Sequence, residues 1–208
     1  GAQGGIVYTA DEALHWEAKR FADRGKPFNL TAATNVRAGL NLNGNELAAA
    51  IGRAQLGKLA AIVARRRQVA AQIKAGLAGL RAVSAGLELP QTEPSYWFMR
   101  FRVAAGQLRV DKNGFVQALA AEGIPVGASY RHIPAEAAWF RERAVFPGTD
   151  YPWGLPDYRG DRNAVFPCPN AVAAAEEHFT LAIHENFAGR EVDDIVTAFR
   201  KVEAAYLR

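Results

Sequence analysis

The sequence predicts an α/β chain whose C-terminal half is an α+β domain with a mainly antiparallel sheet. Three observations carry this reading. From residue 96 onward, apolar patterns of period two and of period 3.6 alternate in the order strand, helix, strand, long loop, helix, strand, helix. Ahead of them lie two alanine-rich helical stretches, residues 46–56 and 58–80. The chain closes on an amphipathic stripe, Val192, Ile195, Val196, Phe199, Val202 and Tyr206, which needs an apolar surface to lie on.

Taken in order, Ile6-Val7-Tyr8-Thr9 reads as a short buried strand. Asp11 is placed to cap a helix that runs to about Phe21, with Leu14, Ala18 and Phe21 on one face, and Gly25-Lys26-Pro27 ends it. Residues 29–45 show little periodicity and many Asn, Gly and Thr; a loop this long points to function. In 46–56 the apolar face is Leu47, Ala50, Ile51 and Ala54; in 58–80 it is Leu59, Ile62, Val63, Val69, Ile73, Leu77 and Leu80. Ser84 to Gly86 marks the way out of these helices. The aromatic, partly alternating residues 96–103 form a strand. Asp111 begins a helix with Phe115, Val116 and Leu119 inward, stopped at Gly123. Ile124-Pro125-Val126 starts an edge strand, since proline cannot donate to a ladder. Residues 131–162 are mostly loop with a short helix near 135–141. Asn170 is placed to cap a helix over 171–178, residues 179–183 form a strand, and 191–206 the closing helix.

Composition narrows the function. The 208 residues are 50% apolar, enough to bury a core. No apolar stretch is long enough for a membrane span, and the start shows no signal peptide. One cysteine, Cys168, excludes an internal disulfide framework and a multi-cysteine zinc site, and a reducing cytoplasm is the expected compartment. His178 and His184 are spaced six apart, which suits no common zinc motif, so no metal is expected. The net charge is +4, and the basic run Arg65-Arg66-Arg67 with Lys74 lacks interleaved aromatics. It reads as a solvated helix face rather than a nucleic-acid contact. Trp139, Tyr151, Trp153 and Tyr158 read as packing under the long loop. The chain opens on glycines rather than Met, and is expected to be part of a longer protein.

Five segments in order resemble the DegT/DnrJ/EryC1/StrS family of sugar aminotransferases. Gly4-Gly5-Ile6-Val7-Tyr8-Thr9 with Asp11-Glu12 is similar to its "GEGG, strand, T-x-D-E" stretch. Residues 39–56, GLNLNGNELAAAIGRAQL, resemble "GxNxRMxELxAAxGxxQL", the most specific of the five. The helix with Arg65-Arg66-Arg67 and Ala70 comes next; Glu122 to Val126 with Tyr130 resembles "GIxxxxHY"; Pro169-Asn170-Ala171 through Leu181, Ile183 and His184 resembles "A-E…LSLPxH".

The resemblance implies the fold of type I pyridoxal-phosphate (PLP) enzymes. Residues 1–57 would be the remnant of the large cofactor-binding domain with its cofactor loop, 58–95 a connecting helix, and 96–208 the small C-terminal domain. It implies a homodimer with shared active sites, taking an amino group from glutamate or glutamine to a keto sugar, often nucleotide-linked, or a keto cyclitol. The Schiff-base lysine of the family falls just upstream of Gly1, so the fragment alone is expected to be inactive. Asn41 takes the position whose amide reaches the cofactor phosphate of the partner subunit. Asn43 stands where the family often has Arg, and is a candidate substrate contact with Tyr130, His132 and His184; Arg131 lies in the same loop. Alternative readings on the same scaffold are a dehydratase with histidine in place of the lysine, or a non-catalytic regulatory or binding protein.

Overall fold

A computed structural model describes residues 4–130 and 132–208. Arg131 and the first three residues of the opening segment lie outside the described residues. The chain divides into two compact units, Gly1–Ile62 and Val63–Arg208.

In the first unit, α1 (Glu12–Ala22) starts where Asp11 was expected to cap it: the carboxylate accepts the Leu14 N–H at 2.9 Å. Glu12 in its first turn and Lys19 and Arg20 in its last complement the helix dipole. The loop then doubles back onto the end of α1. The N–H groups of Leu40 and Leu42 donate to the carbonyls of Phe21 and Ala22, and that of Arg24 to Leu40, each at 2.8 Å. Two glycines permit this close approach. Gly25 has φ +75°, and a Cβ there would lie 1.7 Å from the Arg37 carbonyl oxygen; a Cβ at Gly39 would lie 2.8 Å from that of Phe21. Helix α2 (Glu46–Leu56) follows, capped by the Asn45 side chain on the Ala48 N–H at 2.8 Å.

The expected strand over residues 6–9 does not form. A strand exists only by pairing its backbone groups with a neighbour, and none stands beside this segment among the described residues. Ile6 and Tyr8 are 95% and 91% exposed rather than buried. Likewise α2 has its apolar stripe where the periodicity put it, but no residue of it is buried.

The second unit is built on a four-stranded, wholly antiparallel sheet. Its strands are β1 (Val83–Ala85), β2 (Phe98–Val103), β3 (Val126–Gly127) and β4 (His178–Ala182), in the order β1-β2-β4-β3. Register sets Met99 opposite Leu181 and Phe101 opposite Phe179, so one face is apolar and the other carries Phe98, Arg100 and Arg102. Against the apolar face lie α3 (Leu59–Gly76), α4 (Lys112–Ala121) and α7 (Gly189–Tyr206), contributing Val69, Ile73, Phe115, Leu119, Ile195 and Phe199 to one core. The Phe179 ring lies 5.6, 6.2 and 6.0 Å from those of Phe101, Phe115 and Phe199. As the proline implied, β3 is an edge.

Other expectations shift by local causes. Helix α3 stops at Gly76, four residues earlier than the apolar spacing suggested, and the chain turns through Gly79 at φ +89°. The three-residue β1 was read only as an exit from the helix. It is anchored by a charge from far along the chain: the buried Glu203 carboxylate of α7 accepts the N–H groups of Arg81, Ala82 and Val83 at 3.2, 2.6 and 3.2 Å. Two short elements follow in the long loop and before β4, α5 (Ala138–Arg141) and α6 (Pro169–Glu177). The latter begins on Pro169, whose fixed φ suits the first helical position, so Cys168 rather than Asn170 occupies the cap. Helix α7 begins with the Glu191 carboxylate on the Ala188 N–H at 2.8 Å. No single helix among the described residues is long and apolar enough to cross a membrane.

The arginine run is not a solvated face. All three side chains are half-buried and act as staples within the second unit. Arg65 donates to the carbonyls of Glu185 and Phe187 at 3.2 and 2.6 Å. Arg66 bonds the Glu185 carboxylate at 2.8 Å and the Tyr96 carbonyl at 3.2 Å, and Arg67 the carbonyls of Pro94 and Glu93 at 2.9 and 3.1 Å. A guanidinium has five donors in a rigid fork, so adjacent arginines can each tie down a separate loop.

Candidate functional site

The long Asn- and Gly-rich loop places Leu42 and Asn43 at an open cleft of the first unit. This cleft, about 700 Å³, is lined by Gly4, Gly5, His15, Lys19, Leu42 and Asn43 among others. No carboxylate lines it. Asn41 is held by its neighbours: the backbone groups of Leu40 and Leu42 on either side are bonded to α1, and Asn41 itself bridges to Asp23. Its side chain is exposed and makes no hydrogen bond among the described residues, leaving a free amide on a fixed backbone.

Asn43 is differently employed. Its amide donates to the Asp23 carboxylate at 3.0 Å. Lys26 and Arg24 bond the same carboxylate at 2.8 and 2.6 Å. These contacts, Lys26 foremost, then Arg24, then Asn43, hold the Asp23 carboxyl far below the usual carboxylate range. Asp23 was not singled out from the sequence, yet it is the node on which the end of α1 and the loop meet. Lys19 lies over the rings of Trp16 and Phe28, at 5.2 and 4.6 Å from their centroids. Behind it Arg20 is buried, bonded to Glu17 at 3.1 Å and to the Asn29 side chain.

The remaining candidates belong to the second unit. Tyr130 follows β3, half-exposed, its ring 5.2 Å from Phe98 and 6.0 Å from Trp97, with Arg100 at 5.8 Å. It shares a small hollow with His178 at the start of β4. His184 lies beyond the other end of that strand, exposed, its Nδ1 accepting the Asn186 N–H at 3.1 Å. At about 3.3 Å per residue the two ends of β4 are roughly 13 Å apart, so Tyr130 and His184 flank opposite ends of the strand and do not converge on one point within this unit. His132 is exposed in the loop after Tyr130.

A second cleft, about 520 Å³, opens beside β2 and was not foreseen. On its wall Lys74, Glu88 and Tyr96 share hydrogen bonds: Lys74 reaches the Tyr96 hydroxyl at 2.7 Å, and both donate to the Glu88 carboxylate. Burial pulls the Lys74 ammonium down, but the bonds to Glu88 and Tyr96 outweigh it and its pKa is raised. Lys74, and secondarily Tyr96, lowers that of Glu88. Tyr96 is raised by burial and by its bond to Glu88. The trio is a closed polar cluster that fixes the segment before β2. Its signal in the sequence is faint, because the three residues are far apart along the chain.

The comparisons with known proteins agree with this architecture. Dehydrosugar aminotransferase from Saccharopolyspora spinosa, the dTDP-4-dehydro-2,3,6-trideoxy-D-glucose 4-aminotransferase, is 27% identical over 209 residues, 95% of this chain and 48% of the relative. Among solved structures, the aminotransferase TlmJ from Streptoalloteichus hindustanus is similar with a TM-score of 0.68 at 24% identity, over 94% of this chain and 46% of that one. Spr1654 from Streptococcus pneumoniae, in a PLP form, gives 0.69 at 22%, over 95% and 45%. These likenesses establish the type I fold expected from the sequence, and the chain spans about half the length of the relatives it matches. A sequence model of the DegT/DnrJ/EryC1/StrS aminotransferase family matches residues 1–200, and the chain belongs to that family.

Proposed function

We propose that this chain is part of a PLP-dependent aminotransferase that moves an amino group from glutamate or glutamine to a keto sugar, often nucleotide-linked, or a keto cyclitol. Family membership supports the reaction class. The observation that carries the site is a free Asn41 amide on a doubly tethered backbone, in a loop whose next two residues, Leu42 and Asn43, line the first unit's cleft.

The residues present fit the phosphate end of the cofactor. Lys19 lines the cleft as its cation, Gly4 and Gly5 let a ligand approach the backbone, and Asn43 lines it with an amide already bonded to Asp23. When bound, PLP supplies an electrophilic aldehyde and a sink for electrons. This chain's part is to hold and orient: Asn41 donates to a phosphate oxygen, and Gly39 lets the loop lie close enough to α1 to aim it. Because the family offers that amide to the neighbouring subunit, the assembly is a homodimer with shared sites. None of the lysines here occupies the family's Schiff-base position, so the 208-residue chain by itself performs no transamination. The domain limits follow the same reading, with residues 1–57 completing a larger cofactor domain, and a cytoplasmic location is in keeping with it.

The test is to load the intact protein with PLP, record its absorbance band, and add glutamate or glutamine with a panel of keto sugars and keto cyclitols. Formation of an amino sugar by mass spectrometry is expected. Asn41→Ala should weaken cofactor binding about tenfold, the worth of one charge-assisted hydrogen bond. Unchanged cofactor affinity in that variant removes Asn41 from the site; absence of any band despite loading removes the reaction.

A further inference from the structure

The polar knot at the end of α1 holds more charge than a tether needs. Asp23 and Asn41 face each other across an antiparallel bridge. The flanking bonds run from the Arg24 N–H to the Leu40 carbonyl and from the Leu42 N–H to the Ala22 carbonyl, both at 2.8 Å. That pattern marks a non-hydrogen-bonded pair, in which the two side chains stand closest and on the same face. The Asp23 carboxylate is therefore rooted about 5 Å from the root of the free Asn41 amide. Asn43, two residues on, shares that face and bonds the carboxylate at 3.0 Å.

A bare carboxylate at this spot would repel any anion that approaches Asn41. It is not bare. Arg24 meets it with Nε and Nη2 at 2.9 and 2.6 Å, and Lys26 with Nζ at 2.8 Å. Two cations against one acid leave the knot with one positive charge. The same bonds hold the carboxyl ionised, so the balance persists across the neutral range. Both cations stay open to solvent, their side chains 47% and 44% exposed. Lys26 spends one of its three ammonium donors on Asp23, and the Arg24 Nη1 has no partner among the described residues. Glu17, the other acid in the last half of α1, is taken up by Arg20 and Arg37 at 3.1 and 2.7 Å. The Asn43 bond alone would tie the loop to α1. Tethering gives no reason for a surplus charge; an anion at Asn41 does.

We propose that Asp23 is a positioning residue for a phosphate group at Asn41, gathering Arg24 and Lys26 beside the amide so that their surplus charge helps to hold the anion. This role rests on the Asn41 reading of the cofactor site. It supplies the charge that a neutral amide lacks, and the means of aiming it.

Equilibrium titration of the cofactor-free intact protein with PLP, and with pyridoxal, which lacks the phosphate, tests it. Lys26→Met, at a half-exposed position outside any core, should lower PLP affinity about fivefold and flatten its fall with rising salt. Lys26→Arg, which keeps the charge, should restore most of the loss. Asp23→Asn leaves two cations with no acid. If charge alone mattered, PLP would bind it more tightly. With the positioning group gone, the cations and the loop drift, and PLP should bind at least about fivefold more weakly. Pyridoxal affinity should stay within about twofold in every variant, which a merely structural loss would not spare. Asn41→Ala separates this role from the reading beneath it. If that variant binds PLP unchanged, the Asn41 site fails and the role of Asp23 fails with it. If it binds PLP more weakly, while either Lys26→Met or Asp23→Asn binds PLP as well as the parent or better, the role of Asp23 alone is overturned. A loss of pyridoxal affinity equal to the loss for PLP also overturns it, and leaves Asp23 an anchor of the loop.

Discussion

The two units handle the same kind of sequence pattern in opposite ways. In the second, the stripes of α3, α4 and α7 find a partner in the sheet: Phe101, Phe115, Phe179 and Phe199 are essentially buried around one centre. In the first, Leu47 and Leu56 of α2 stay 73% and 70% exposed, and the only residue of α1 that is buried is a charged one, Arg20. The second unit is held by the hydrophobic effect. The first is held by backbone bonds from the loop to α1 and by the polar knot on Asp23. An apolar periodicity thus announces which face wants burial without saying what will cover it.

Substitutions should divide along this line. The largest effect is expected at Phe179, whose ring meets three others. Phe179→Ala should cost about 3–5 kcal/mol, the range for emptying a fully buried aromatic site, measured as a fall in the urea midpoint with the slope unchanged. Next comes Glu203. Glu203→Ala strips the acceptor from three N–H groups at the start of β1 and should cost about 2–3 kcal/mol. Faster amide exchange at Ala82 and Val83 should accompany it; full protection there would mean that water replaces the carboxylate at no cost.

These sites also mark how far the sequence could be read. The core of the second unit was legible because alternation in 98–103 and the stripe of α7 are local signals that the fold obeys. Caps were legible where one side chain serves one helix, as at Asp11 and Asp111. The strand over residues 6–9 was not, because its propensity is real but its hydrogen-bond partners are not among the residues described. Glu203, the arginine staples and the Lys74–Glu88–Tyr96 cluster were hidden for another reason. Each joins residues 8 to 122 positions apart, and charge pairing has no period along a chain. Of the candidate site, family likeness marked Asn41, but only the coordinates reveal that Asn43 is bonded to Asp23 and that Tyr130 and His184 stand at opposite ends of β4.

A smaller effect is expected from acid, and it should appear first in the loop. The Asp23 carboxyl is depressed in the folded chain, so its contribution is fully present above its ordinary value, near pH 4, and is lost as pH falls through the folded value. Amide protection over residues 23–43 should fall as pH drops below about 4. Asp23→Asn should lower that protection and make it insensitive to pH in this window. The same fall in the variant would place the acid response elsewhere.

The smallest effect sharpens the comparison most. Leu47 has the hydropathy and the helical position of a core residue, yet it is 73% exposed in this chain. If burial, not residue type, sets stability, Leu47→Ala should change the unfolding free energy of the 208-residue chain by less than about 0.5 kcal/mol, as at other surface sites. In the full-length protein the same substitution should cost about 2–5 kcal/mol if α2 is covered there, the range for a buried leucine. A large loss already in the 208-residue chain would mean that α2 is packed within it, and the contrast between the units would fall. A small loss in both settings would leave α2 exposed in the assembly as well, and would remove its apolar stripe from any interface.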